Sequence, residues 1–189
     1  MDLWLSERIQ HRLHLLRTFA AKATPIPEAA ARIVAGLNKG GRVYVFGNGG
    51  SASQAAHFAA ELINRFYRDR AGLPAVALTT DCSGITAIAN DSDFKSVFSR
   101  QLEALGNPGD TAIGITTSGK STNVLEAIEI AKKTGMFTLA LCGIHRDALE
   151  AAGAEMILDV PDADTPAVQE IHLLILHLLA ERIEALMFP

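Results

Sequence analysis

From Asp2 to Ala21 the apolar residues Leu3, Leu5, Ile9, Leu13, Leu16 and Phe19 return at helical spacing, with Glu7, Arg8, Gln10 and Arg17 between them. That pattern predicts an amphipathic helix. A second helix is expected over Ile26–Leu37, entered through Pro25 and Pro27 and stopped by Gly40 and Gly41. The character then changes. Arg42–Phe46, Ala75–Thr79, Thr111–Thr117, Phe137–Leu141 and Met156–Val160 are short, apolar, β-rich runs separated by helical stretches. Five strands alternating with helices imply an α/β fold built on a doubly wound, five-stranded parallel sheet, flavodoxin-like in order. The closing segment, Ala167–Met187, carries Val168, Ile171, Leu174, Ile175, Leu178, Leu179, Ile183 and Leu186. This apolar surface is too wide for a helix facing water, so it should pack in the core or against another subunit. The chain is expected to form one domain over 1–189, of which 1–40 is an N-terminal helical extension.

Composition narrows the function classes. At 189 residues, 49% hydrophobic and 20% charged, the chain can bury one substantial core. A formal charge of -4 argues against a surface that neutralises nucleic-acid phosphates, so any anion must meet a local site. No window approaches the roughly 20 apolar residues of a membrane span. Cys82 and Cys142 are too few and too far apart for a thiol metal motif or a disulfide framework, which fits a reducing compartment. No nucleic-acid or membrane partner is expected, and the cytoplasm is the default location.

Two loops are suited to phosphate. The first strand ends in Gly47-Asn48-Gly49-Gly50-Ser51-Ala52-Ser53 before a helix opens. Glycines there let backbone N–H groups approach an anion, and the helix N-terminus adds unpaired donors and a favourable dipole. A tight turn with Ser51 as an N-cap would explain an isolated loop of this kind. The third strand runs into Thr116-Thr117-Ser118-Gly119-Lys120-Ser121, again opening a helix, expected over Thr122–Thr134. In a flavodoxin-like order the first and third strands flank the topological switch point, where ligands sit. Gly114 to Ser121 also matches the P-loop pattern literally, and Met156–Asp159 resembles a strand ending in a magnesium-holding aspartate. Against a nucleotide triphosphatase, Ile115, Thr116 and Thr117 are β-branched and continue the strand, whereas a P-loop places its first glycine at the strand's end.

His57 and Glu61 are four apart, on one face of the helix after the glycine loop. Such a pair can bind a metal, share a proton, or simply face solvent. The last helix adds Gln169, Glu170, His172 and His177 among aliphatics, and the flanking Ile175, Leu176, Leu178 and Leu179 imply that His177 is buried. Two imidazoles, a carboxylate and an amide oxygen make a plausible zinc set. Gln169 and His177 are, however, about 12 Å apart along an ideal helix. Both side chains must lean inward, or one must come from a neighbouring subunit.

Together, Asn48-Gly49-Gly50-Ser51, His57 to Glu61, Asn90-Asp91, Thr117-Ser118-Gly119 with Ser121, and Gln169-Glu170 with His172 and His177 resemble the phosphoheptose isomerases of the sugar isomerase (SIS) fold. The likeness runs from about Gly41 to the C-terminus. It implies one zinc per subunit held by His57, Glu61, Gln169 and His177. It also implies substrate contacts from Asn48, Gly49, Gly50, Ser51, Glu61, Asn90, Asp91, Thr116, Thr117, Ser118, Ser121 and Gln169, and a homotetramer with sites at subunit contacts. The implied reaction interconverts sedoheptulose 7-phosphate and D-glycero-D-manno-heptose 7-phosphate, toward lipopolysaccharide heptose, with Glu61 as base and His177 as acid. Cys142 to Asp147 stands where a glycine-rich segment is common, and Thr116 where a serine is common. A non-catalytic SIS relative that docks on a bacterial replication initiator is similar in Leu62-Ile63-Asn64-Arg65-Phe66 and Leu78-Thr79-Thr80-Asp81. Asp162 to Pro166 looks more like the isomerases, which favours the enzyme.

Overall fold

The computed structural model describes residues 2–21 and 25–189. Its centre is a parallel sheet of five strands, β1 (Val43–Gly47), β2 (Ala75–Ala77), β3 (Thr111–Thr116), β4 (Phe137–Cys142) and β5 (Met156–Asp159), in the order β2-β1-β3-β4-β5. The first five helices are α1 (Leu3–Ala21), α2 (Ile26–Leu37), α3 (Gly50–Ile63), α4 (Cys82–Asp91) and α5 (Ser99–Leu105). They are followed by α6 (Thr122–Thr134), α7 (Asp147–Ala151) and α8 (Thr165–Met187), with a single 3-10 turn at Phe94–Ser96. Each expected strand is present within a residue or two of its expected limits.

Strand periodicity splits the interior into two cores. Val43, Val45, Ile113, Ile115, Leu139 and Leu141 face one way, onto α2, α3 and α8. Tyr44, Phe46, Ala112, Ala140 and Cys142 face the other way, onto α5, α6 and α7. Side chains alternate across a strand, so a strand buried on both faces must be apolar at every position. This is why the runs read as continuous rather than alternating.

The register places the sheet's carboxyl end where a ligand can use it. Gly47 pairs with Ile115, and a Cβ on Gly47 would stand 2.6 Å from the Ile115 carbonyl oxygen. The loop after β1 is thereby pressed against the end of β3. Gly114, the first glycine of the P-loop match, lies inside β3, where a Cβ would come within 2.9 Å of Val124. The strand runs straight through it and turns only after Thr116, so the nucleotide cradle is not formed.

The two terminal helices part company. α8 buries a broad stripe that includes Val168, Ile171, Ile175, Leu179 and Ile183, while Leu178 and Leu186 of the expected apolar surface stay exposed. α1 buries only Leu15 and Phe19, while Leu3 (80%) and Trp4 (63%) stay exposed with Leu5, Ile9, Leu13 and Leu16. Among the described residues no helix is long and apolar enough to cross a membrane.

Candidate active site

Beyond β3 the chain folds back on itself as a ring of hydroxyls. The buried Thr116 Oγ1 lies 2.9 Å from Ser121 Oγ and 3.3 Å from Ser118 Oγ, and the Lys120 N–H donates to Ser118 Oγ at 3.2 Å. Ser121 occupies the N-cap position of α6 without capping it through its side chain. Its hydroxyl turns inward to Thr116, which leaves the first N–H groups of α6 and the helix dipole available to an anion. Gly119 adopts φ 66°, and a Cβ there would collide with the His145 carbonyl oxygen. A side chain at position 119 is excluded twice, by the left-handed backbone and by the neighbouring chain.

The connection from Cys142, the last residue of β4, to Asp147, the first of α7, supplies that neighbour. The Gly143 N–H donates to the Thr117 carbonyl at 3.1 Å, and the Ile144 N–H donates to the Asp162 carbonyl at 3.3 Å. Asp162 is itself fixed: its Oδ1 accepts from the Asp164 N–H at 2.8 Å, and its Oδ2 lies 2.7 Å from His11 Nε2 on α1. Burial opposes ionisation of Asp162, but these hydrogen bonds outweigh it and hold the carboxyl below the usual range. The segment that departs from the glycine-rich pattern thus still closes over the phosphate loop, through backbone contacts.

After β1, Asn48 and Gly49 lead into α3, with Gly49 at φ 55° and Ser51 buried in the first turn. Asn48 donates from Nδ2 to Asn123 Oδ1 at 2.8 Å, and Asn123 Nδ2 donates back to Asn48 Oδ1 at 2.8 Å. Asn123 sits in the first turn of α6 and is buried. It did not enter the sequence reading. A recess of about 150 Å³ opens beside this loop, lined by Gly47, Asn48, Gly49, Thr79, Ile85 and Phe94, among others.

Three of the expected chemical residues converge. His57 Nε2 lies 2.9 Å from His177 Nε2 and 3.4 Å from Glu61 Oε1. The contact between the two imidazoles is a hydrogen bond in which one ring donates from Nε2 and the other accepts, the roles following from their tautomers. His177 is half-buried rather than enclosed. The enclosed histidine is His172, with no exposed surface. Five residues turn a helix by about 140°, so if one imidazole points into the β4 side, the other must point toward α3. His172 hydrogen-bonds the Cys142 carbonyl at 3.1 Å, its Nδ1 finds no partner, and burial pushes its pKa down to about 4.

The remaining candidates stand apart from that cluster. The Gln169 side chain rests on Gly50, where a Cβ would come within 2.9 Å of its Cδ, and Gln54 Nε2 donates to the Gln169 carbonyl at 2.7 Å. Gly50 precedes His57 by about 10 Å of helix. Asn90 and Asp91 end α4 on the surface, with Asn90 Nδ2 donating to Asp91 Oδ1 at 2.8 Å.

The donor set can be tested against zinc. Among the described residues no three or more His, Cys, Asp or Glu side chains already stand as a metal cage. Ligand atoms in a tetrahedral zinc site with bonds near 2.0–2.1 Å are about 3.3 Å apart. The 3.4 Å between His57 and Glu61 meets that spacing, and the 2.9 Å between the imidazoles falls short by a few tenths of an ångström. His57 thus meets both Glu61 and His177, but His177 and Glu61 are not in contact with each other, so the side chains supply the right donor types without standing as a closed three-donor set, and Gln169 rests on Gly50.

The comparisons with known proteins agree with this geometry. Residues 9–143 match the SIS domain family. A phosphoheptose isomerase of Desulfovibrio desulfuricans is 52% identical over 170 residues, covering 90% of this chain and 80% of the relative. The solved structure of a phosphoheptose isomerase from Francisella tularensis superimposes with a TM-score of 0.91 at 38% identity, covering 96% of both chains. That of the phosphoheptose isomerase from Neisseria gonorrhoeae gives 0.89 at 37% identity, over 96% of this chain and 97% of the other. A sheet ordered β2-β1-β3-β4-β5, a hydroxyl loop at its switch point and this degree of likeness have one reading: the chain belongs to the phosphoheptose isomerase family of SIS-domain proteins.

Proposed function

We propose that the chain is an aldose–ketose isomerase that interconverts sedoheptulose 7-phosphate and D-glycero-D-manno-heptose 7-phosphate, feeding lipopolysaccharide heptose synthesis. The observation that carries the reading is the meeting of the Glu61 carboxylate with two imidazoles in a family that isomerises heptose phosphates.

The phosphate is held by neutral donors, the hydroxyls of Thr116, Thr117, Ser118 and Ser121 and the first N–H groups of α6. Asn48, Gly49, Gly50 and Ser51 meet the sugar hydroxyls, with Asn90, Asp91 and Gln169 assigned by resemblance. From the ketose, Glu61 takes a proton from C1 while His177 gives one to the C2 carbonyl oxygen, leaving an enediol. Return of the carbon proton to C2, with loss of the O1 proton, gives the aldehyde, and no electron leaves the sugar. Zinc held by His57, Glu61 and His177, with Gln169 as fourth donor, would polarise the two oxygens as a Lewis acid. Glu61 has two carboxylate oxygens, and Oε1 is the one that faces His57. The other is free to act as base.

The homotetramer is part of the proposal. α1 leaves Trp4, Ile9, Leu13 and Leu16 beside Ile171 and Leu174 of α8, around an apolar groove of about 590 Å³. Exposed apolar surface of this kind marks a protein contact, and a second subunit there would also bring the partner's side chains near the site. Both cysteines are free, which supports a cytoplasmic enzyme.

The test is an assay of aldose phosphate formation from sedoheptulose 7-phosphate before and after chelation, with light scattering to give the mass in solution. Turnover that is lost on chelation and restored by zinc supports the whole reading. A folded, zinc-loaded protein with no turnover sinks it.

A further inference from the structure

The reciprocal amide pair between Asn48 and Asn123 joins the two ligand loops. Asn48 follows β1 and Asn123 lies in the first turn of the helix after β3, so the bond crosses the switch point of the sheet. Each amide has two N–H groups and an oxygen with two lone pairs. The pair uses one N–H and one lone pair on each side. Turning over either amide by itself would set N–H against N–H and oxygen against oxygen, so each residue dictates how the other points. Asn123 is buried, with 3% of its surface exposed, whereas Asn48 is half-buried and lines the recess beside Gly47 and Gly49. The remaining N–H and lone pair of Asn48 are therefore left on the side of that recess, and the amide's orientation is set by Asn123.

We infer that Asn123 is a positioning residue for the isomerase: it aims the Asn48 amide at the sugar and fixes the glycine loop relative to the phosphate loop. The inference rests on the proposed function for the identity of the sugar. Asn123 has no contact with the hydroxyl ring of Thr116, Ser118 and Ser121 among the hydrogen bonds of the described residues. Its role should then fall on the sugar end of the ligand and spare the phosphate end.

The experiment is a double-mutant cycle of Asn48→Ala, Asn123→Ala and the pair, read by kcat, KM, the inhibition constant of inorganic phosphate, calorimetric affinity for sedoheptulose 7-phosphate, and a thermal melt. Misplacing a ligand group by about an ångström can cost on the order of a hundredfold in rate, so Asn123→Ala should lower kcat/KM roughly tenfold to a hundredfold. Inhibition by inorganic phosphate should stay within about twofold. If Asn123 acts through Asn48, the double variant should be no worse than Asn48→Ala, since coupled residues are not additive. Additive losses, an unchanged kcat/KM in Asn123→Ala, or equal loss of phosphate inhibition would each overturn the inference. Should Asn123→Ala fail to fold, Asn123→Ser enters the cycle in its place. A wild type that binds the ketose without turning it over sinks the proposed function, and the inference is then decided on the two affinities; a wild type that does not bind it sinks both.

Discussion

The phosphate loop, at the carboxyl end of β3, and the His57–Glu61–His177 cluster, about two turns or more down α3, are built in opposite ways. The loop is closed by its own chain: Thr116 is buried, its hydroxyl meets Ser118 and Ser121, and Gly119 is pressed under the His145 carbonyl. The cluster is open, with the His57 side chain 43% exposed and that of Glu61 23% exposed, on helices that face outward. A phosphate keeps its charge through the reaction and is served by fixed dipoles that need no adjustment. Proton transfer needs groups that exchange protons and can separate by a few tenths of an ångström. On the proposed function, rigidity serves binding and adaptability serves chemistry.

The largest effect should come from separating the two. Glu61→Gln keeps the shape of the side chain but removes the base, and general base catalysis contributes roughly 10²–10⁴-fold. Turnover should fall by about a thousandfold while sugar phosphate affinity changes little, measured by calorimetry on the same preparation. A variant with near-normal turnover would remove Glu61 from the mechanism. His177→Ala should cut turnover and also release metal, read by metal analysis after dialysis; full retention of zinc would leave His177 as an acid alone.

The converse experiment weakens binding and spares chemistry. Gly119→Ala places a Cβ in a left-handed backbone against a carbonyl, a strain of about 1–3 kcal/mol. KM for the sugar phosphate should rise by more than about tenfold. Thr116→Val keeps the buried shape but removes the hydroxyl that orders the ring, and a hydrogen bond to a charged group contributes about 1.5–3 kcal/mol. KM should rise about tenfold with kcat within about twofold. If kcat falls in proportion instead, the loop takes part in the transition state and the division between the two regions fails.

The sequence carried the fold further than it carried the cluster. α6 spans Thr122–Thr134 as expected, because Ser121 stands at its N-cap and Gly135, at φ 83°, ends it. α4 buries no residue completely and so leaves little periodic signal between β2 and β3. The hydroxyl ring was legible because its residues are adjacent. Asn123 was not, since its partner is at position 48 and one asparagine inside a helix has no pattern. The histidines show the limit most plainly. Apolar neighbours in sequence suggested a buried His177, but burial on a helix depends on the face, and the burial fell to His172.

His172 also offers the smallest and most specific test, because it lies behind both regions and takes part in neither. Its imidazole donates to the carbonyl of Cys142, whose own thiol burial pushes up to about 12. With a folded pKa near 4 against an ordinary value of 6.5, His172 stays neutral in the native state while the unfolded chain takes up a proton. The stability it confers is complete above pH 6.5 and is lost as the pH falls toward 4, on the order of 3 kcal/mol in all. Glu155, Glu184 and Asp162, whose carboxyls are held below their ordinary values of 4.5, 4.5 and 3.8, begin to lose stability at the acid end of this scan, but they do so in the variant and the wild type alike, so the difference between the two slopes reports the histidine. His172→Gln can keep a donor toward Cys142 without a titrating ring. Melting temperature followed from pH 7 to pH 4.5 should fall less steeply in the variant than in the wild type, with turnover at neutral pH unchanged within about twofold. Parallel slopes would mean that the ring is protonated or solvated in the native state. Lost turnover would mean that the end of β4 carries strain to the phosphate loop through Gly143 and Thr117, so that the rigid region extends to the far side of α8.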